Sequence, residues 1–468
     1  MAGDSDVTAT SPPTQDKRTG IERVRIVLAV FWALAALLAC SVRAPVSWDV
    51  GVVLISLLVV GTGLATLAIL HGPWSSSFLA ALVLAIFHFA AFPSVLQGDN
   101  VGAAAGVTFF APHTGPQALL LSVSGLSAFV SGSLVFGRRY LRLKDTNSTP
   151  HHGSRLGHVS AWATVFFIFL WVFLALVRTG INPLAVSYLD FLDQAEGSAW
   201  IMQPLGLFFA WSAMARGKTY NLALLVFCCW GAVAFFIGLR GEVLFPLVAH
   251  AAVLAASRRM PKFRWIIPLT ALTLLASSLG RQVRDFGIRA YEFRLEDLAL
   301  SNAMAELGFS QYVVETTVRW HEIQGEPFYR GATYFAPVER MLNRLLGLPV
   351  LDGESDLRLM NVEIIAREGQ IGGSVIAEAL HNFGPAGVPV ILGIWGVAIS
   401  YFRSRVSSEG QRMLAFEGLI LFLFLWHVRN SFVPIPMQFF YGLFLILLLT
   451  RSSSSRDSAS LGRDAVGA

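Results

Sequence analysis

A chain of 468 residues in which 54% are hydrophobic and only 14% are charged is not an ordinary water-soluble protein, whose charged fraction is about a quarter. Its formal net charge of +5 does not mark a nucleic-acid binder, because the Lys and Arg residues sit in short clusters between apolar runs, which is a membrane-topology pattern. Cys40, Cys228 and Cys229 all lie inside apolar runs, which argues against a disulfide framework or a cysteine metal site.

A polar tail precedes the first apolar run, and no small-residue cleavage site with a soluble domain follows it, so this run reads as a retained span. Spans are expected where roughly 17 to 25 residues are mainly apolar, enough to cross a hydrocarbon core about 30 Å thick. In chain order they fall near 24–41, 49–70, 76–96, 117–137, 158–177, 199–215, 219–238, 241–256, 264–279, 385–402, 413–429 and 433–450. The predicted fold class is therefore an all-α polytopic membrane protein of about 12 transmembrane helices with one large, partly helical extracytoplasmic loop.

The charges orient it. With the N-terminus inside, Arg138, Arg139, Arg142 and Lys144, then Arg258, Arg259, Lys262 and Arg264, then Arg403, Arg405 and Arg412 fall in cytoplasmic connections. The short outer connections hold only Arg43, Arg178, Arg240 and Arg429. This asymmetry follows the positive-inside rule and predicts both termini in the cytoplasm. The expected organisation is a cytoplasmic tail over 1–22, nine helices over 23–280, an extracytoplasmic cap over 281–384, three helices over 385–450 and a disordered cytoplasmic tail over 451–468. Within the cap, apolar positions recur at helical spacing in 295–319 and 333–347, with turn signals at Gly325-Glu326-Pro327 and Leu348-Pro349.

Four polar groups gather at the outer ends. Arg240 lies in a hairpin between two spans, either snorkelling at a helix end or holding an anion through paired guanidinium donors. Arg281, Arg284, Asp285 and Arg289 follow a span directly, and Arg281 and Arg284 would share a helix face able to hold a diphosphate or meet lipid headgroups. Glu378, His381 and Asn382 occupy i, i+3 and i+4, one polar face that either caps the helix or removes a proton from a sugar hydroxyl. His427, Arg429 and Asn430 sit in the last outer hairpin, where polar residues at membrane depth are site candidates. Glu306, Glu315, Arg319, His321 and Arg330 read as partners within the cap. No Gly-rich nucleotide loop, zinc-spaced His/Cys set, nucleophile elbow or Asp-x-Asp pair occurs in the loops, so neither a metal nor a cofactor is expected.

The runs GLRGEVLFPLV, LGRQVRDFG, GEPFYRGATYFAPVERML and GGSVIAEALHNFGPAGV resemble the O-antigen or oligosaccharide repeat-unit polymerases of the Wzy type, over roughly 230–400, and most specifically from Ser374 to Gly384. The resemblance implies a membrane glycosyltransferase of the GT-C type. It would join polyprenyl-diphosphate-linked oligosaccharides, as donor and acceptor, into a surface polysaccharide such as O-antigen, capsule or exopolysaccharide. The outer face of the bacterial cytoplasmic membrane is the implied location, with a flippase and a chain-length regulator as candidate partners. Phosphate contacts carry over to Arg240 and Arg281, with Arg284 beside them, and the family's glutamate lands on Glu378 with Asn382 alongside. Chemistry then asks for a base, Glu378 or His381, while His427 and Arg429 join as substrate-binding candidates. A flippase or transporter of lipid-linked sugars and a glycan ligase stay as alternatives. The first should show internal two-fold repeats and polar residues near the midplane, whereas these groups gather at the outer ends.

Overall fold

The structure, a computed structural model, describes residues 15–42, 49–92, 113–136, 154–177, 200–257, 307–351 and 355–450, with the isolated positions 111, 180, 191, 260, 304 and 353. Among them the ordered elements are helical. They are α1 (Gln15–Ser41), α2 (Val50–His71), α3 (Ser76–Phe89), α4 (Gly115–Val135), α5 (Arg155–Val172, continued by a wider turn, Phe173–Val177), α6 (Met202–Ser212), α7 (Gly217–Ile237) and α8 (Arg240–Ser257). After these come α9 (Ser310–Glu322), α10 (Ala332–Leu345), α11 (Met360–Glu368), α12 (Val375–Phe383), α13 (Gly387–Glu409), α14 (Gln411–Arg429) and α15 (Ile435–Thr450). Eleven of the twelve predicted spans fall on these helices, and the twelfth, 264–279, lies outside the described residues.

Helix is the only backbone form that satisfies its own polar groups in lipid, so apolar runs of this length coil. Their starts are written in the sequence. The Ser75 and Ser154 hydroxyls accept from the free amides of Phe78 and Gly157 at 3.2 and 2.8 Å, which satisfies donors that a first helical turn leaves unpaired. Gly238, at φ 113°, closes α7 in the left-handed region and lets the chain reverse into α8 at Arg240.

Among the described residues, seven helices are long and apolar enough to cross a bilayer, and α3 and α15 are shorter apolar helices. The chain is thus an all-helical polytopic membrane protein. Its posts are α4 and α14, buried along most of their length, while α1 and α2 expose Leu38, Leu58 and Ile69, as lipid contact requires. α13 lies against α4 with backbones touching: a Cβ on Gly132 would stand 2.3 Å from the Gly393 carbonyl oxygen, and one on Gly396 2.3 Å from that of Phe129. Small residues permit that approach, and it is how helices gain packing energy without a hydrophobic drive.

α9 to α12 cover one end of the bundle. The start of α4 meets α9 there, because Glu315 accepts from Thr114 at 3.0 Å and from the amide of Ala111 at 2.6 Å. The start of α1 lies at the far end, since α1 runs antiparallel to α4 through Ser131 to Ala29 and Ser124 to Ala36. At that far end Arg403 of α13 and Glu417 of α14 form a buried ion pair at 3.2 Å, and Ser76 of α3 donates to Glu417. The helical spacing at 333–347 corresponds to α10, and of 295–319 only the part from 310 onward is seen, as α9.

Candidate active site

The site is built on α12, a nine-residue helix buried at every position from Val375 to Asn382. Its start is fixed by Ser374, whose side-chain oxygen accepts from the amides of Ile376 and Ala377. The His88 ring of α3 donates from Nδ1 to the Leu84 carbonyl at 3.0 Å, which leaves Nε2 to accept from the Ser374 hydroxyl at 2.8 Å. One buried imidazole therefore anchors the α12 cap to the bundle.

Glu378 is fully buried, and such a carboxylate must be paired. Its Oε1 accepts from the Thr333 hydroxyl of α10 at 2.7 Å. Its Oε2 accepts from the Phe432 amide at 2.8 Å and lies 3.0 Å from His427 Nε2 of α14. Asn382, one turn on, donates to the Thr333 oxygen at 2.6 Å and to the Glu378 carbonyl at 2.7 Å, and accepts from the Thr333 amide at 3.2 Å. Tyr334 stands beside them with its ring edge on Phe432, and burial, then the Glu378 charge, pushes its phenol well above the usual range. Since Nε2 of His427 faces a carboxylate it carries the proton there, and Nδ1 keeps the lone pair. That Nδ1 is buried without a hydrogen-bond partner among the described residues.

The expected face of Glu378, His381 and Asn382 divides. Successive residues turn about 100° around a helix, so His381 and Asn382 point to different neighbours, and only Asn382 reaches the Glu378 cluster. His381 Nδ1 lies 3.0 Å from His321 Nε2 of α9, and its Nε2 lies 2.9 Å from Glu363 Oε2 of α11. Glu363 also accepts from Tyr329 at 2.9 Å and from Arg367 at 3.0 Å, and Arg367 pairs with Glu326. The imidazole beside Glu378 is thus His427, 49 residues away in sequence, and His381 belongs to a network that holds the cap together.

That network is pH-sensitive in one direction. Burial first holds His321 below its ordinary 6.5, against the opposing Glu326 carbonyl. An imidazole with a depressed folded value resists protonation in the closed cap, so the open state takes the proton first and cap stability declines as pH falls below about 6.5. The amides of Tyr329 and Arg330 bond to the carbonyls of His381 and Asn382 at 2.9 and 2.8 Å. Their hydrogen-exchange protection should drop on acidification from about pH 7.5 to 5.5 after correction for intrinsic rates. Unchanged protection would count against the His321 contact as a titrating lock.

The arginines divide too. Arg240 opens α8 and is 3% exposed, with its guanidinium 5.8 Å from the Phe235 ring. Arg429 closes α14, lies 5.5 Å from the Phe87 ring, and is near enough to Glu242 to act on its charge. The first turn of α8 and the last turn of α14 therefore bring Arg240, Glu242 and Arg429 to the same end of the bundle as Glu378. Arg281 and Arg284 lie outside the described residues, as does Glu306. Of the other cap candidates, Arg319 pairs with Glu368 at 2.8 Å, and Arg330 takes a left-handed φ of 53° where the chain turns into α10.

Thr333, Tyr334 and Glu363 were not among the candidates. Thr333 and Tyr334 fall in the GATYF run, whose polar residues look like ordinary turn and helix-start residues; Glu363 has a local signal only in its i,i+4 pairing with Arg367.

Fold and site together define a polytopic membrane protein whose polar chemistry is concentrated beneath a small helical cap at one end of the bundle. The family model of the O-antigen polysaccharide polymerase Wzy matches residues 28–454, and the chain belongs to that family. It is accordingly a membrane protein of polysaccharide biosynthesis. No curated protein and no solved structure matches the chain.

Proposed function

We propose that the protein polymerises polyprenyl-diphosphate-linked oligosaccharide repeat units on the outer face of the bacterial cytoplasmic membrane, with twelve crossings, both termini inside and the 281–384 segment as an outer cap. The observation that carries this reading is the Glu378–His427 pair at 3.0 Å, buried under the cap at the bundle end that also holds Arg240 and Arg429.

In the reaction a hydroxyl oxygen of the acceptor glycan bonds to the anomeric carbon of the donor, and the bond from that carbon to the diphosphate oxygen breaks with its electron pair. The hydroxyl proton passes to the Glu378–His427 pair. Both Glu378 oxygens already accept hydrogen bonds, so Nδ1 of His427 is the position left to take it, with the carboxylate stabilising the imidazolium. Arg240 and Arg429, with Arg281 and Arg284 from the cap entrance, meet the diphosphate and offset its growing charge. Asn382 and Thr333 hold the carboxylate in place. No cofactor has a part in this scheme.

Deletion of the gene tests it. The cell should carry glycan of a single repeat unit, and the wild-type chain should restore the ladder. Precursor trapped on the cytoplasmic side would instead make the protein a flippase, and long polymer left on its lipid carrier would make it a ligase.

A further inference from the structure

A cavity under the cap has a cationic wall. This cavity, of about 810 Å³, lies between the cap and the bundle, floored by Val433, Pro434 and Met437 at the start of α15, with Gln203 of α6 and Asn361 of α11 at its sides. Its volume falls in the range that encloses a small ligand. One face of α10 closes it: Pro337, Arg340, Met341 and Arg344 recur at i, i+3, i+4 and i+7. Its lining neighbours the site along the chain at two points. Pro337 is one turn beyond Thr333, which donates to Glu378, and Val433 follows Phe432, whose amide does the same.

The two arginines on this wall differ. Arg340 is committed, donating to the Leu351 carbonyl at 2.7 Å and standing 3.4 Å from Asp356. Arg344 is exposed and has no carboxylate partner among the described residues. The outer face of α10 is unlike that of a cap helix in water. Phe335, Leu342, Leu345 and Leu346 are 70, 46, 72 and 70% exposed, a large apolar stripe of the kind that rests at a membrane interface. Met437 and Phe440 expose apolar side chains on neighbouring α15. Met437 thus brings an exposed apolar side chain to the cavity lining itself, on which the uncommitted Arg344 guanidinium also lies.

We propose that this cavity is a glycolipid subsite, in which Arg344 binds the diphosphate of a polyprenyl-diphosphate-linked saccharide and the isoprenoid leaves laterally between α10 and α15. The proposal rests on the polymerase reading and adds a location. Arg240 and Arg429 lie on α8 and α14 at the bundle end that holds Glu378, whereas Arg344 lies on the cap helix α10, about 16 Å along that helix from Thr333, so two diphosphates can be held at separate places. A polymerase that joins two lipid-linked chains needs such a separation. A bilayer phospholipid shares the phosphate chemistry, so it is the competing ligand in the test.

The test uses the full chain in phosphatidylcholine nanodiscs with radiolabelled polyprenyl diphosphate as probe. Wild type should bind two probe molecules per chain; Arg344→Glu should weaken one of the two at least about tenfold and leave the other, Arg344→Lys should retain most of both, and both variants should unfold thermally as wild type because the side chain is exposed. Equal binding by wild type and Arg344→Glu overturns the subsite and leaves the polymerase reading standing. Displacement by phosphatidylglycerol at concentrations equal to the probe overturns it as well, marking a headgroup site. Absence of any binding by wild type overturns both the subsite and the substrate reading.

Discussion

Glu378→Gln should leave the protein inserted at normal level and reduce glycan polymerisation by about 10²–10⁴-fold, the range that a positioned acid or base supplies. The substitution keeps the side chain's size but replaces one acceptor oxygen with a donor, in a pocket where Thr333, Phe432 and His427 all present donors. Some stability is lost, about 1–3 kcal/mol for an unmatched buried polar group, but the main effect falls on the reaction, because a neutral amide no longer stabilises a protonated His427. The pair should act as a unit. His427→Gln should cost about as much as Glu378→Gln, and the double variant little more than either, the non-additivity of residues that share one role. Extension of a purified lipid-linked repeat unit by solubilised enzyme, normalised to folded protein, measures this. A Glu378→Gln enzyme with full-length ladders would move the base elsewhere, and His381 with Glu363 is the next carboxylate–imidazole contact in the cap. His381→Asn, by contrast, should loosen the cap more than it slows the reaction.

The helices were legible because lipid leaves the chain little choice, and the apolar runs record that constraint directly. Glu378 and Asn382 were legible for a similar reason: four-residue spacing on a helix joins them before any tertiary contact is considered. Their partners were not. His427 meets Glu378 only because α14 runs up beside α12, and Thr333 only because the chain turns at Arg330 and Gly331 to lay α10 over it. His381 was assigned to the wrong company, since periodicity tells which residues share a helix face but not which neighbour closes on each side of it. Glu417 went unnoticed for a different reason. A single carboxylate within the predicted span 413–429 is averaged away by the hydropathy of the other sixteen residues, although its burial makes it costly.

That cost can be measured. Glu417 is fully buried and Arg403 8% exposed, at the end of the bundle away from the cap, where their pair joins α13 to α14 and Ser76 brings in α3. Glu417→Ala leaves the guanidinium buried without its carboxylate, a change that costs about 3–5 kcal/mol. Thermal unfolding in detergent should show a Tm well below wild type. The double variant Arg403→Met/Glu417→Leu should regain most of the loss, because an apolar pair of similar volume needs no compensation for buried charge. Polymerisation per folded molecule should stay near wild type in both, since the pair touches neither Glu378 nor the cavity under the cap. If instead Glu417→Ala left Tm unchanged but shortened the glycan ladder, the far end of the bundle would have to be coupled to the reaction, and the division of this chain into a structural end and a chemical end would fail.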